Sequence, residues 1–320
     1  MNQAAAFSRR TSGASPACSP KPDARRLQSI VALPFLVAAA GRSFAQSTLD
    51  RQAFVDTFNA ANKAYAAEQY AAAAPLYEQV VAANPNIPIA YLYLGNSYDH
   101  LSHNARGGMD DPALLRKAER NYRIAADRLL TIDQPDAQKS ARTALEMLAA
   151  LYGPDRLHDP AAAGRVVQEL IRIAPTEPAY VFSLARLSED AEAYAEAEAA
   201  LAKAVEMRPD DAAVYALVAG HYWDIAAHGS RLTAVREREY LAKGLAAADR
   251  ALALAPNQAD AMIFKSQLLR EQAAIETDRK KQEQLKRDAD DLAAKARAIR
   301  GDAAPASTMP PSSGSTKPPR

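Results

Sequence analysis

The chain has 320 residues, with 39 basic and 38 acidic side chains, a formal charge of +1, a single cysteine and 48% apolar residues. A chain of that length can bury a sizeable core, but its charge is too balanced for a phosphate-neutralising surface, which argues against a nucleic-acid partner. Alanine and leucine dominate the apolar fraction and alternating β-branched residues are scarce, so the fold is expected to be all-helical.

Residues 1–45 read as an export leader. Arg9, Arg10, Lys21, Arg25 and Arg26 precede the apolar run LQSIVALPFLVAAAG at 27–41, and Ser43 and Ala45 are the small residues a signal peptidase accepts before Gln46. The run contains Pro34 and falls short of the roughly 20 residues that span a bilayer, so no integral membrane segment is expected in the mature chain. Removing the leader takes away six basic residues and one acid. That leaves 33 basic against 37 acidic residues, about −4. Cys18 lies ahead of the apolar run, which suits neither a lipid anchor nor a disulfide in the mature protein.

From residue 46 onward one helical unit recurs. Ala73, Tyr77, Val80 and Pro85 stand at offsets 0, 4, 7 and 12. The same offsets return in Ala163, Val167, Leu170, Pro175, in Ala197, Leu201, Ala204, Pro209, and in Gly244, Ala248, Ala251, Pro256. The first three positions share one helix face and the proline closes the turn. A partner helix precedes each of these: Tyr91, Leu94, Gly95, Tyr98, then Leu148, Ala149, Tyr152, then Val181, Leu184, Ala185, then Tyr215, Val218, Ala219, Tyr222. At the Gly95 position every copy carries Gly or Ala, which lets the paired helix come close.

Pro175 and Pro209 are 34 residues apart, and AYLYLGNSY and YAEAEAALAKAVEMRPDD resemble the first helix and the second helix with closing turn of the tetratricopeptide repeat. The resemblance covers roughly residues 50–300. It implies a right-handed α-solenoid of about six helix pairs, near 51–85, 88–131, 136–175, 178–209, 212–256 and 259–300. Two pairs are enlarged, by DHLSHNARGGMDDP and by WDIAAHGSRLTAVREREY. The copy at Ala118, Tyr122 and Ala125 has no closing proline, leaving its boundary open. Asp111 before Pro112 is expected to cap a helix. The charged stretch at 276–299 suits a solvated capping helix, and the Pro/Ser-rich residues 301–320 are expected to be a disordered tail.

In that family the first helices line a concave surface that binds a peptide or a helix of a partner protein. The resemblance places Phe58, Asn62, Leu92, Tyr93, Asn96, Phe182, Arg186 and Trp223 on it as exposed candidates. Asn62 and Asn96 could hydrogen-bond a peptide backbone, or could simply suit the helix pair. Trp223 could be a binding anchor or core. The family's carboxylate clamp needs a lysine where this chain has Phe58 and Leu92, so recognition of a C-terminal carboxylate is not expected.

The histidine pairs His100/His103 and His221/His228 lack a full ligand set and read as surface or loop residues. No metal or cofactor is therefore expected. Gly107 and Gly108 read as a flexible turn without phosphate-loop context. No nucleophilic motif is legible locally, so the expectation is a non-catalytic protein-interaction scaffold in the periplasm or cell envelope. An adaptor in an envelope assembly or secretion complex, self-association, and a repeat-built ligand carrier or enzyme remain alternatives.

Overall fold

The computed structural model describes residues 48–104, 110–229 and 232–301. The leader, the GG turn and the tail expected from the sequence lie outside the described residues. Within them the chain is all-α, with no strand. It forms twelve helices in two compact units that meet between Val166 and Val167.

The first unit holds α1 (Thr48–Ala66), α2 (Tyr70–Ala83), α3 (Pro88–Asn104), α4 (Pro112–Leu129), α5 (Pro135–Leu151) and the start of α6 (Pro160–Ile173). The second holds α7 (Pro178–Asp190), α8 (Tyr194–Met207), α9 (Ala212–His228), α10 (Ala234–Leu254), α11 (Ala259–Ile275) and α12 (Arg279–Arg300). These are six helix pairs at the positions the repeat predicts, and the two enlarged pairs are α3/α4 and α9/α10. α1/α2, α3/α4, α7/α8, α9/α10 and α11/α12 pack as pairs, and α2 on α3, α4 on α5, and α9 and α10 on α11 join one pair to the next. This is the neighbour-only packing of a helical repeat.

The repeat positions are the core. Ala73, Tyr77 and Val80 are fully buried, as are Ala118, Tyr122 and Ala125, so the copy without a proline is a full member. Leu201, Ala204, Ala248 and Ala251 occupy the same places in the second unit. Proline punctuates the other end: α3, α4, α5, α6 and α7 all begin at one, where the missing N–H has no intrahelical partner to lose. Asp111 caps α4 through the Ala113 N–H at 2.8 Å, as expected, and Asp211 caps α9 through Ala213 at 2.9 Å. The tight turns inside the first and fourth pairs place Glu68 (φ 56°) and Glu192 (φ 57°) in the left-handed region.

The first insertion is tied down by charge. Arg156, in the α5–α6 turn, donates to Asp99 on α3 and, at 2.8 Å, to Asp110 beside α4, while His103 Nδ1 lies 3.0 Å from the other Asp110 oxygen. Burial alone would raise the Asp110 pKa. The Arg156 and His103 contacts outweigh it and hold the carboxyl below its usual range.

Candidate functional site

Most of the first-helix candidates are not exposed. Leu92, Tyr93, Asn96 and Phe182 are buried at 6%, 8%, 5% and 9% exposure, and Phe58, Asn62 and Trp223 are half-buried, which corrects the expectation of an open row. The reason is stacking: a first helix packs against the next pair as well as its own, so positions that an isolated pair would expose are covered.

In the first unit they form a tyrosine–amide lattice. Tyr77 donates to Asn62 Oδ1 at 2.8 Å, and Tyr65 donates to Asn96 Oδ1 at 2.8 Å. Asn96 Nδ2 donates to Tyr122 at 3.4 Å, and Tyr122 donates to Asp99 at 3.1 Å. Each asparagine thus meets the tyrosine of its own second helix, and Tyr65 joins one pair to the next. Tyr93 packs 4.9 Å from Tyr65 and 5.7 Å from Tyr77 between ring centroids, and Phe58 meets Tyr77 edge-on at 6.4 Å. Burial pushes the Tyr93 hydroxyl up to about 12, and raises Tyr65 and Tyr77 further. These phenols stay neutral, Tyr65 and Tyr77 as donors to the side-chain amides, which already have partners.

The second unit is different. Phe182 and Arg186 on α7 stand beside the α9 stripe Leu217, His221, Asp224 and His228, whose spacing of four, three and four residues keeps it on one helix face. Phe182 stacks on His221 with centroids 5.5 Å apart and planes 8° from parallel. His221 Nδ1 lies 2.6 Å from Glu189 Oε1, linking α7 to α9. Arg186 donates to Asp224 and lies 3.4 Å from Asp190 Oδ1 and 3.8 Å from Glu189 Oε2. His228 closes the cluster 3.0 Å from Asp224, edge-on to Trp223 at 5.5 Å. The top is open: side-chain exposure is 55% for Arg186 and 53% for Asp190, and Leu217 is exposed. The floor is closed, since the Glu189 side chain is only 5% exposed.

Burial raises the Glu189 carboxyl against the pull of His221 and Arg186. It raises Asp190 too, with Arg186 opposing and Asp224 reinforcing. Glu189 Oε2 and Trp223 Nε1 are buried and form no hydrogen bond with any described residue.

The structure therefore brings together Phe182, Arg186 and the neighbourhood of Trp223, whereas Phe58, Asn62, Leu92, Tyr93 and Asn96 form an internal lattice. Sequence reading missed Glu189, Asp190 and Asp224 as a group and took His221 and His228 for surface or loop residues, which fits exposed His228 but not His221. One signal was available: Glu189 and Asp190 follow Arg186 by three and four residues, and Asp224 lies 34 beyond Asp190. Among the described residues no group of three or more His, Cys, Asp or Glu is placed to hold a metal ion, and no helix is long and apolar enough to cross a membrane.

No family model and no curated protein matches the sequence. Solved structures similar to the chain include helical-repeat proteins. MamA is 15% identical, with a TM-score of 0.44 over 65% of this chain and 95% of its own. PilW, described as a type IV pilus biogenesis factor, is 15% identical with a TM-score of 0.44 over 79% of this chain and 96% of its own. YrrB, described as a TPR protein with an unusual peptide-binding site, is 16% identical with a TM-score of 0.41 over 67% of this chain and 92% of its own. At these scores it is the twelve helices and their buried repeat positions, rather than the similarities, that establish the fold.

Proposed function

We propose that the chain is a non-catalytic interaction scaffold that holds a segment of a partner protein on the α7–α9 face, after export to the periplasm or cell envelope. The observation that carries this reading is the α7–α9 face itself. Half-exposed Arg186 and Asp190 flank the stacked rings of Phe182 and His221, with exposed Leu217 one turn before His221 on α9, an open polar rim beside an anchored ring pair suited to a peptide. Export rests on the order basic, apolar, small in residues 1–45.

In-cell crosslinking and capture of the full chain tests both parts. Wild type is compared with the variant Leu217→Arg, at an exposed position, with circular dichroism to check that the fold is intact. The expected result is a reproducible partner captured by wild type and lost from the variant. Equal capture by both would contradict the face assignment. Recovered chains that begin at Gln46 support export, and chains retaining residues 1–45 in the cytosol contradict it.

A further inference from the structure

The α7–α9 cluster holds more carboxylates than guanidinium groups. Glu189 and Asp190 on α7 and Asp224 on α9 converge on Arg186, with the imidazoles of His221 against Glu189 and His228 against Asp224. That guanidinium donates to Asp224, while its separation of 3.8 Å from Glu189 Oε2 is too long for a hydrogen bond. Glu189 Oε2 is left buried without a donor on a side chain that is 95% covered, an acceptor whose desolvation a new donor nearby would offset.

Asp190 and Asp224 open to solvent above it, at 53% and 27% side-chain exposure. Beside the acids, exposed Leu217 and the Phe182–His221 stack offer an apolar shelf. Long basic side chains match that combination, because they lay a methylene stem along apolar surface and carry a cationic head to carboxylates. An acidic segment would meet Asp190 and Asp224 with the single Arg186 guanidinium between them, and the like-charge contacts would oppose docking.

Resting on the scaffold reading above, we infer that the segment held on the α7–α9 face is basic, with a lysine or arginine side chain seated on Asp190 and Asp224 next to an apolar residue against Leu217 and Phe182. Arg186 then shares the carboxylates with the incoming cation and fixes their positions.

The test is fluorescence polarisation with the full chain and two labelled decapeptides of leucine and alanine, one carrying three lysines and the other three glutamates. The lysine peptide is expected to bind, more weakly as salt rises, and the glutamate peptide is not. The double variant Asp190→Asn, Asp224→Asn should weaken lysine-peptide binding by about tenfold, whereas Glu206→Gln, Asp291→Asn, which neutralises two exposed acids elsewhere, should leave it unchanged. Equal binding of the two peptides, no binding of the lysine peptide, or equal losses in the two variants would overturn the inference. Absence of any partner captured by wild type in cells would count against the scaffold reading and leave these peptide results standing. Capture that persists in the Asp190→Asn, Asp224→Asn variant would count against the basic segment alone.

Discussion

Gly95 lies directly beneath the ring of Tyr122: a methyl group added at position 95 would stand 2.8 Å from Tyr122 Cδ1 and 3.3 Å from the Ala118 carbonyl oxygen. Neither neighbour can give way easily. The ring is fully buried, with its hydroxyl bonded to Asp99 and Asn96, and the carbonyl is backbone of α4. This is the close approach of paired helices that the small residue in every copy implies.

Gly95→Ala therefore sets two effects against each other. Helix propensity favours alanine by about 1 kcal/mol, while overpacking a rigid contact costs about 1–3 kcal/mol, so a net loss of stability is expected. Urea melts would show a lower midpoint. At Gly220 the nearest atoms the added methyl would meet are the ring end of Phe264, a half-buried side chain, rather than backbone, so Gly220→Ala should cost less.

Asn96→Ala is expected to act on the fold and not on a partner directly. It removes the acceptor of Tyr65 and a donor to Tyr122 inside the core, for a loss of about 1–3 kcal/mol. Asn62→Ala breaks one half-buried bond, to Tyr77, and should cost less. Thermal melts of the two variants order them, and an Asn96→Ala protein as stable as wild type would contradict the lattice.

Glu68→Gly should stabilise the first unit. Glutamate at φ 56° is held where an L-residue is strained, and glycine relieves that strain while losing more chain entropy, for a net gain of up to about 1 kcal/mol. A lower melting temperature would show that the turn needs the Glu68 side chain.

Glu189 gives a pH signature. Its pKa is raised in the folded state by burial, so its contribution to stability is greatest below the unfolded carboxylate pKa and is lost as pH rises through the folded value. Glu189→Gln keeps the shape and an acceptor for His221 without the charge. It should flatten the dependence of melting temperature on pH across the acidic range above the ordinary Glu value of about 4.3, and melt no lower than wild type at pH 7. A variant that melts lower at pH 7 would mean that pairing with His221 and Arg186 outweighs desolvation.

The helices were legible because their signals are local. Prolines at 85, 175, 209 and 256 and the small residues at 95, 185 and 219 report the repeat within one or two turns of chain. The candidate face was legible only in part, through Phe182, Arg186 and Trp223. Side chains on a first helix also meet a neighbouring pair about 30 residues away, so exposure could not be judged from one helix: Leu92 and Tyr93 looked open and are covered. The opposite error concerned His221, which looked like a surface or loop residue and instead is largely covered, against a buried glutamate contributed by α7.

Docking of a partner on the first-helix face of α7 and α9 is open to a direct test. The most direct measurement is photo-crosslinking in cells, with a photoreactive residue at Leu217 on that face or at exposed Ala242 on α10. Docking on that face gives one discrete partner adduct from position 217 and none from 242. The same adduct from both positions, or an adduct from 242 alone, would contradict it.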